Sequence, residues 1–308
     1  LLMQVFEDWG LRWTMVDMTD LEAVERALGD ARAAQRTRAD RREGGVDDEN
    51  VVVWTETPSN PLLKVTDIRA IAAICAKVGR TSKVPLIVDA TWCTPWICQP
   101  LGLGADLVVH STTKYFGGHS DLTGGALVRG HNVSPAGGRL FDRCRLRQAA
   151  CGGVPSAFDA WLTLRGLRSL PVRMEAHSRN AMSVARFLDS HPRVSRVHYP
   201  GLDAHSGKET MALQSRVNTE EDSADLQQLF GGMVSFQVEG GRDAATRVAR
   251  EMTIFKRATS LGGTESLVEH RRSVEDDAST TPEDLLRLSV GLESERDLIN
   301  DLEMALRE

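Results

Sequence analysis

Short apolar runs alternate with amphipathic segments in the first half of the chain. Residues 51–54 form a continuous apolar run rich in β-branched side chains, which is typical of a strand covered on both faces in a parallel sheet. Similar runs predict strands at 85–88, 106–110 and 125–128, and an apolar stripe within 65–78 predicts a helix. Alternation of this kind predicts an α/β fold with right-handed crossover connections.

The segments not yet described predict two further features near the start of the chain and a second half with a different arrangement of helices and strands. Apolar spacing predicts a short surface helix at 20–28, and the charged, aperiodic stretch 29–50 predicts a solvated loop. Later in the chain, the pattern predicts helices at 156–170, 173–191, 243–252 and 295–306, strands at 233–238 and 268–270, and a polar loop with partial helix at 205–225. We therefore predict a large, mostly parallel-sheet domain at 1–170 and a smaller α+β domain at 171–308.

The composition narrows the possible classes of protein. The 308 residues are 41% apolar and 26% charged, with a formal net charge of −6, which indicates a soluble globular chain. No run of eighteen apolar residues is present, so a membrane span is not expected, and no signal peptide pattern opens the chain. The five cysteines are odd in number and form no C-x-x-C pair, which favours reduced thiols in a cytoplasmic protein and argues against a metal site.

A nucleic-acid partner is also disfavoured. The acidic excess opposes binding to phosphate backbones. One arginine-rich run lies at 32–42, but acidic residues 47–49 follow it and no aromatic residue lies among its arginines. We therefore interpret this run as a solvated charged segment.

Candidate catalytic chemistry centres on Lys114, which follows a predicted strand and lies among hydroxyl and glycine residues. A desolvated lysine in such a place can form a Schiff base with an aldehyde, while neighbouring hydroxyls bind phosphate. A loop lysine that pairs with a carboxylate explains the residue equally well. Asp89 ends the apolar run 86–88, where it needs a cationic partner such as the pyridine nitrogen of pyridoxal phosphate, or it simply caps a turn or helix.

Several polar residues lie in the turns that follow the predicted strands. Asn60, Asp89 and the hydroxyl-rich segment 111–114 all occupy such positions. Ligands of open α/β sheets collect outside the carboxyl ends of the strands. We therefore expect these residues to line one crevice.

Five sequence blocks carry a resemblance to a known family. They are Glu-Thr-Pro-Ser-Asn-Pro at 56–61, Val-Asp-Ala-Thr at 88–91, Ser-Thr-Thr-Lys-Tyr at 111–115 with Gly-His-Ser-Asp at 118–121, Ser-Leu-Gly-Gly at 260–263 with Glu-Ser-Leu at 265–267, and Arg-Leu-Ser-Val-Gly-Leu-Glu at 287–293. Together they resemble the Cys/Met metabolism family of pyridoxal phosphate (PLP) enzymes, in the family's order and over essentially the whole chain.

The resemblance implies a fold, a cofactor and a set of roles. The fold would be the aspartate aminotransferase type (PLP fold type I), and the family assembles as a homotetramer, a dimer of dimers. Lys114 would hold PLP as a Schiff base and carry protons between substrate and cofactor carbons. The resemblance also implies that Asp89 binds the pyridine nitrogen, that Ser111 and Thr113 bind the phosphate, and that Asn60 reaches the phenolic oxygen of the cofactor. Ser260 and Arg287 would bind the α-carboxylate of the substrate.

The reaction implied is a trans-sulfuration step of sulfur amino acid metabolism. Several family members carry a glutamate immediately before the Ser-Leu-Gly-Gly block, whereas this chain has Thr259 there. Recognition of a distal amino group of the substrate by that glutamate is therefore in doubt for this chain. Val-Glu-His-Arg-Arg-Ser at 268–273 resembles cystathionine γ-synthase-like members. We therefore expect γ-replacement on an activated homoserine with cysteine, with γ-elimination of the lyase type as the alternative. We interpret His110, His119 and His270 as structural.

The start of the chain raises a further expectation. It opens with Leu1-Leu2-Met3, whereas family members begin with a segment that grips the cofactor and donates a tyrosine and an arginine to the neighbouring subunit. We expect an incomplete copy that, alone, retains cofactor weakly and turns over little. The alternative class is an inactive homologue that acts as an assembly partner.

Overall fold

The computed structural model describes residues 6–8, 10–39, 51–79, 83–215, 228–275 and 279–307, without the side chains of 35–39. Residues 40–50 of the predicted loop and residues 216–225 of the predicted polar stretch lie outside the described residues. No helix in the described ranges is long and apolar enough to cross a membrane.

The first sheet positions the residues that follow its strands. Within the described ranges it contains strands β1 (Val53–Glu56), β2 (Leu86–Asp89), β3 (Leu107–Ser111) and β4 (Gly125–Arg129), in that order. The pairs β1–β2 and β2–β3 are parallel, and β4 is an antiparallel edge strand. All four strands lie within two residues of their predicted bounds. The register places Glu56 opposite Asp89, so the carboxyl ends of β1 and β2 share one edge.

Helices α1 (Leu21–Ala39), α2 (Ile68–Val78) and the short α3 (Thr94–Ile97) occur in this half of the chain. The prediction of a loop from residue 29 was wrong, since α1 continues to Ala39. Val24, Leu28 and Arg32 are all buried at four-residue spacing, and the long aliphatic stem of an arginine can occupy an apolar position. When Arg32 is counted as a polar residue, the apolar periodicity ends at Leu28, and the rest of α1 is not predicted.

The next three helices are α4 (Pro135–Cys151), α5 (Ala157–Arg168) and α6 (Leu170–Asp189). The sequence predicted α5 and α6 but missed α4, which buries only Ala136 and Gly137 and so has no apolar stripe to detect. Its start was marked by capping instead, because the Ser134 hydroxyl accepts a hydrogen bond from Gly137 N and a proline follows at the first helical position.

The second sheet lies in the C-terminal half. In the part of the chain that is described, its order is β5 (Val194–His198), β6 (Met233–Val238), β9 (Leu285–Ser289), β8 (Leu267–His270) and β7 (Lys256–Arg257). Only the β7–β8 pair is parallel. Helices α7 (Lys208–Gln214), α8 (Gly241–Glu251) and α9 (Glu295–Ala305) accompany it. The prediction lacked β5, β7 and β9.

Strand β9 was missed because it is the central strand and carries a charge. All five of its residues are buried, including Arg287, so its pattern is not the alternation that a half-buried strand shows. The first sheet falls within residues 53–129 and the second within 194–289. The division near residue 170 stays a prediction.

Candidate active site

One cavity of about 250 Å³ opens at the carboxyl edge of the first sheet and reaches the second sheet. It is lined by six of the seven predicted site residues, which are Asn60, Asp89, Ser111, Lys114, Ser260 and Arg287. The crevice expected from the strand ends is therefore present. Thr113 is the exception. Its hydroxyl faces Gly124 and accepts a hydrogen bond from the backbone N–H of Gly124 at 3.0 Å.

Asp89 and Ser111 are linked at this edge. Thr91 N donates to Asp89 Oδ1 at 2.9 Å, and the Thr91 hydroxyl accepts a hydrogen bond from Ser111 N at 2.9 Å. Thr91, which sequence reasoning did not single out, thus joins the ends of β2 and β3. The arrangement holds a carboxylate and a hydroxyl on one wall of the cavity.

Lys114 extends from a tight turn that follows β3. Its backbone is non-helical within that turn, and its carbonyl accepts a hydrogen bond from Gly118 N at 2.8 Å. The Nζ atom donates to Ser260 Oγ at 2.7 Å and forms no ion pair among the described residues. Burial lowers the pKa of the Lys114 amine, the charge of Arg287 lowers it further, and Glu269 opposes both. The amine is therefore biased towards its neutral, nucleophilic form.

The loop that carries Ser260 approaches Lys114 closely. Ser260 has a φ of +83°, a left-handed backbone conformation that non-glycine residues rarely adopt. At Gly262, with φ of +80°, a Cβ atom would lie 2.8 Å from Tyr115 N. Only glycine permits this approach, which brings the Ser260 hydroxyl to the lysine.

Arg287 lies on the central strand of the second sheet and is 4% exposed. Its guanidinium donates to Asn60 Oδ1 at 3.0 Å and to the Ser260 carbonyl at 3.2 Å, and it forms an ion pair with Glu269. Burial lowers the pKa of Arg287, and the charge of Glu269 opposes this. A buried, multiply bonded guanidinium facing a cavity is well suited to bind a carboxylate through charge-assisted hydrogen bonds.

Glu56 and Arg271 also line the cavity and were not predicted. Glu56 Oε1 accepts a hydrogen bond from Asn60 N at 2.6 Å, within the same sequence block. Burial raises the pKa of Glu56, and the charge of Asp89 raises it further. Glu56 lies in the block at 56–61 and Arg271 in the segment 268–273, but the spacing of neither indicates a side chain that faces the cavity.

The three histidines considered from the sequence make packing or backbone contacts. His110 stacks on Phe116, and burial lowers its pKa to about 4. His119 Nδ1 contacts the Gly117 carbonyl at 2.8 Å, while His270 Nε2 contacts the Glu283 carbonyl at 2.7 Å. No histidine is among the described residues that line the cavity.

The chemistry of the donor set indicates its ligand. A carboxylate at a strand end can pair with a ring cation, an amine of lowered pKa can attack an aldehyde, and a guanidinium can bind a carboxylate. All three groups face one cavity here. In the described ranges no cluster of His, Cys, Asp and Glu is arranged to hold a metal ion.

Comparison with known proteins gives consistent matches. A family model described as Cys/Met metabolism PLP-dependent enzyme matches residues 1–307. Cystathionine gamma-synthase of Mycobacterium tuberculosis is 44% identical over 99% of this chain and 70% of that protein. Cystathionine gamma-lyase of Dictyostelium discoideum is 38% identical over 98% of this chain and 70% of that protein. The solved structure of cystathionine gamma synthase from Xanthomonas oryzae pv. oryzae, in complex with cystathionine, has a TM-score of 0.82 and 36% identity, covering 99% of this chain and 71% of that one.

Proposed function

The chain belongs to the Cys/Met metabolism family of PLP-dependent enzymes, and from this premise we propose that it catalyses cystathionine γ-synthase-like γ-replacement on an activated homoserine with cysteine. The predicted fold type and cofactor are confirmed, since the family uses PLP and the structural neighbours are cystathionine gamma synthases. The proposal depends most on one observation: Lys114 and the carboxylate-binding candidate Arg287 face the same cavity as Asp89.

The residues present fit PLP. Asp89 would pair with the ring nitrogen, Lys114 would hold the aldehyde carbon, and the Ser111 hydroxyl would bind the phosphate. The phosphate role of Thr113 stays a prediction, because its hydroxyl is bonded to Gly124 in the structure. When bound, the cofactor supplies an electron sink that stabilises negative charge on substrate carbons.

Lys114 is the group that moves protons in this proposal. Its Nζ atom would take a proton from the α-carbon of the substrate and deliver it to the C4′ carbon of the cofactor. The amine, neutral again, would then be able to take a proton from the β-carbon, which γ-chemistry requires next. Burial and the charge of Arg287 lower the pKa of the Lys114 amine, and this direction favours its use as a proton acceptor. The hydrogen bond to Ser260 Oγ holds the amine at the cavity wall.

Arg287 orients the substrate for that transfer. A charge-assisted hydrogen bond to the α-carboxylate would fix the direction of the α-hydrogen relative to Lys114, and such positioning lowers the entropic part of the barrier. Ser260 contacts both residues, because its hydroxyl accepts from Lys114 and its carbonyl accepts from Arg287. The proton acceptor and the carboxylate binder are thus joined through one residue.

γ-Elimination is the competing reaction, and the similarity to a protein named cystathionine gamma-lyase favours considering it. The two reactions diverge after the γ-leaving group has departed. Attack by the cysteine thiol gives cystathionine, whereas hydrolysis gives a 2-oxo acid. An assay that measures both products with and without cysteine separates them.

The experiment uses protein incubated with PLP and with O-acetyl-, O-succinyl- or O-phosphohomoserine, with products measured by mass spectrometry. We expect cystathionine when cysteine is present. Borohydride reduction should place a phosphopyridoxyl group on the Lys114 peptide. Replacing Lys114 by alanine should remove that label and lower the rate by at least about 10²-fold, whereas Lys208→Ala, which alters an exposed ion pair with Asp203, should do neither.

Three results would contradict the proposal. Label on another lysine would refute the assignment of Lys114. A 2-oxo acid as the main product in the presence of cysteine would favour the lyase. Failure to take up any cofactor would favour the assembly-partner alternative.

We include a homo-oligomeric state in the proposal. Helix α5, the last part of α4 and the connection between them expose a group of large apolar side chains, here called the α5 patch: Leu146, Val154, Phe158, Trp161 and Leu164. Each is more than half exposed, and Phe158 stacks on Trp161. A group of exposed large apolar side chains, two of them in contact, supports a contact with another chain.

The α5 patch is tested by light scattering coupled to size-exclusion chromatography. Trp161→Glu should lower the mass of the assembly, whereas Leu213→Glu, on the similarly exposed Leu213 of α7, should leave it unchanged. A monomeric unmodified protein would contradict the proposal. The proposed function also includes a cytoplasmic location, as predicted from the reduced cysteines.

A further inference from the structure

Glu269 and Arg287 form a cross-strand pair between β8 and β9. The antiparallel register places the two residues directly opposite each other. Glu269 is 6% exposed and Arg287 is 4% exposed, and Glu269 Oε2 accepts a hydrogen bond from an Arg287 amino group. The carboxylate therefore lies behind the guanidinium that faces the cavity.

The same oxygen of Glu269 also contacts Arg271. Arg271 donates to Glu269 Oε2 at 3.1 Å and to Glu275 Oε1 at 2.9 Å. Glu269 Oε1, which is buried, has no hydrogen-bond partner among the described residues. A buried carboxylate with one oxygen unsatisfied is a poor way to gain stability, since desolvation offsets most of the attraction between the charges. The pair therefore calls for a role other than stability.

Glu269 completes a set of contacts that fix Arg287 from three directions. Asn60 accepts from one amino group, and the Ser260 carbonyl and Glu269 accept from the other. These three hydrogen bonds use three of the five N–H donors of a guanidinium. The remaining donors are left for a ligand, and their direction is set by the bonds already made.

We propose that Glu269 is a positioning residue for the substrate α-carboxylate, which acts by holding the Arg287 guanidinium in the orientation that presents its remaining donors to the cavity. This inference rests on the proposed function, because it concerns the carboxylate-binding step of that reaction. Glu269 does not itself touch the substrate. Its effect is therefore specific to ligands that carry a carboxylate.

The test compares two probes that differ only in that group. L-alanine and L-alaninamide both carry the amine that reacts with PLP, but only L-alanine has a carboxylate for Arg287. Their dissociation constants are measured for the PLP-loaded protein from the change in cofactor absorbance. We expect Glu269→Ala to weaken L-alanine binding by at least about 10-fold while changing L-alaninamide binding by less than about 2-fold.

Two further variants separate position from charge and guard against a folding failure of the alanine variant. Glu269→Asp keeps the charge but retracts the carboxylate by one methylene, so it should still weaken L-alanine binding several-fold. Glu269→Gln keeps an acceptor oxygen within reach of Arg287 and should remain within about 3-fold of the original protein. Glu283→Gln, which alters an ion pair with exposed Arg242, is the matched control and should change neither probe.

The outcomes discriminate clearly. Equal losses for both probes would show general distortion of the cavity and overturn the proposal, as would no loss for either. Tighter binding of L-alanine to Glu269→Ala would show that repulsion between the two carboxylates outweighs positioning, and would also overturn it.

A cofactor-free measurement keeps the inference separate from the proposed function. Propionate and propionamide are titrated calorimetrically into protein without PLP, since Arg287 and its contacts are present there too. A loss confined to propionate in the Glu269 variants supports the positioning role even if PLP is not taken up. Equal behaviour of propionate and propionamide would refute that role whatever the catalytic result.

Discussion

Gly166 lies on α5 where this helix packs against the turn that carries Lys114. A Cβ atom at this position would lie 2.1 Å from the Phe116 carbonyl oxygen and 2.5 Å from that of Gly117. Both contacts are backbone, so no side-chain rotation relieves them. We predict that Gly166→Ala destabilises the fold and displaces the Lys114 turn.

Two opposing effects set the magnitude. Alanine is favoured over glycine within a helix by about 1 kcal/mol. Against this, ordinary contact begins at 3.4 Å, so the helix and the turn must separate by roughly 1.3 Å, and overpacking of a close-packed site costs about 1–3 kcal/mol or more. Because the contact is with two rigid carbonyl groups, the upper end applies, and we expect a net loss of about 2 kcal/mol.

Gly138→Ala on α4 is the matched control. A Cβ there meets nothing closer than 3.7 Å, so only the helix propensity acts and the variant should gain up to about 1 kcal/mol. Urea denaturation followed by circular dichroism measures both variants. Phosphopyridoxyl labelling of Lys114 after borohydride reduction should fall for Gly166→Ala alone. Gly166→Ala with stability and labelling equal to those of Gly138→Ala would refute the packing argument.

Two further predictions concern stability. Asp301 accepts hydrogen bonds from Thr253 N at 2.8 Å, from the Thr253 hydroxyl at 2.7 Å and from the next two backbone amides, so Asp301→Ala should lower the urea midpoint by an amount equivalent to about 2–4 kcal/mol; an unchanged midpoint would contradict this. Burial lowers the pKa of both His110 and His177 from 6.5 to about 4, so the unfolded chain binds protons first as pH falls, and the stability present above pH 6.5 should be lost progressively towards pH 4. Urea midpoints at pH 7.5, 6 and 5 test this, with exposed His131→Gln as a control, and midpoints that do not change across this range would show that the two imidazoles titrate normally.

The strands of the first sheet were predictable because burial on both faces leaves a continuous apolar run. Their carboxyl ends could therefore be located, and with them Asn60, Asp89, Ser111 and Lys114. The pattern of apolar residues did not predict the full length of helix α1 or strand β9, since Arg32 and Arg287 are buried charged residues. The pattern of apolar and polar residues shows which side chains prefer water. It does not show which polar side chains are buried with an interaction partner.

The sequence alone determined which chemical groups are available and which family they resemble, because motifs and strand ends are local features of the chain. Tertiary structure decided how those groups meet. Lys114 and Ser260 are 146 residues apart and become hydrogen-bonded partners, while Thr113, next to Lys114, turns towards Gly124. The pairing of Glu269 with Arg287 arises from the register of two antiparallel strands. Register depends on how a whole sheet buries its faces, so no local pattern could place that carboxylate behind the arginine.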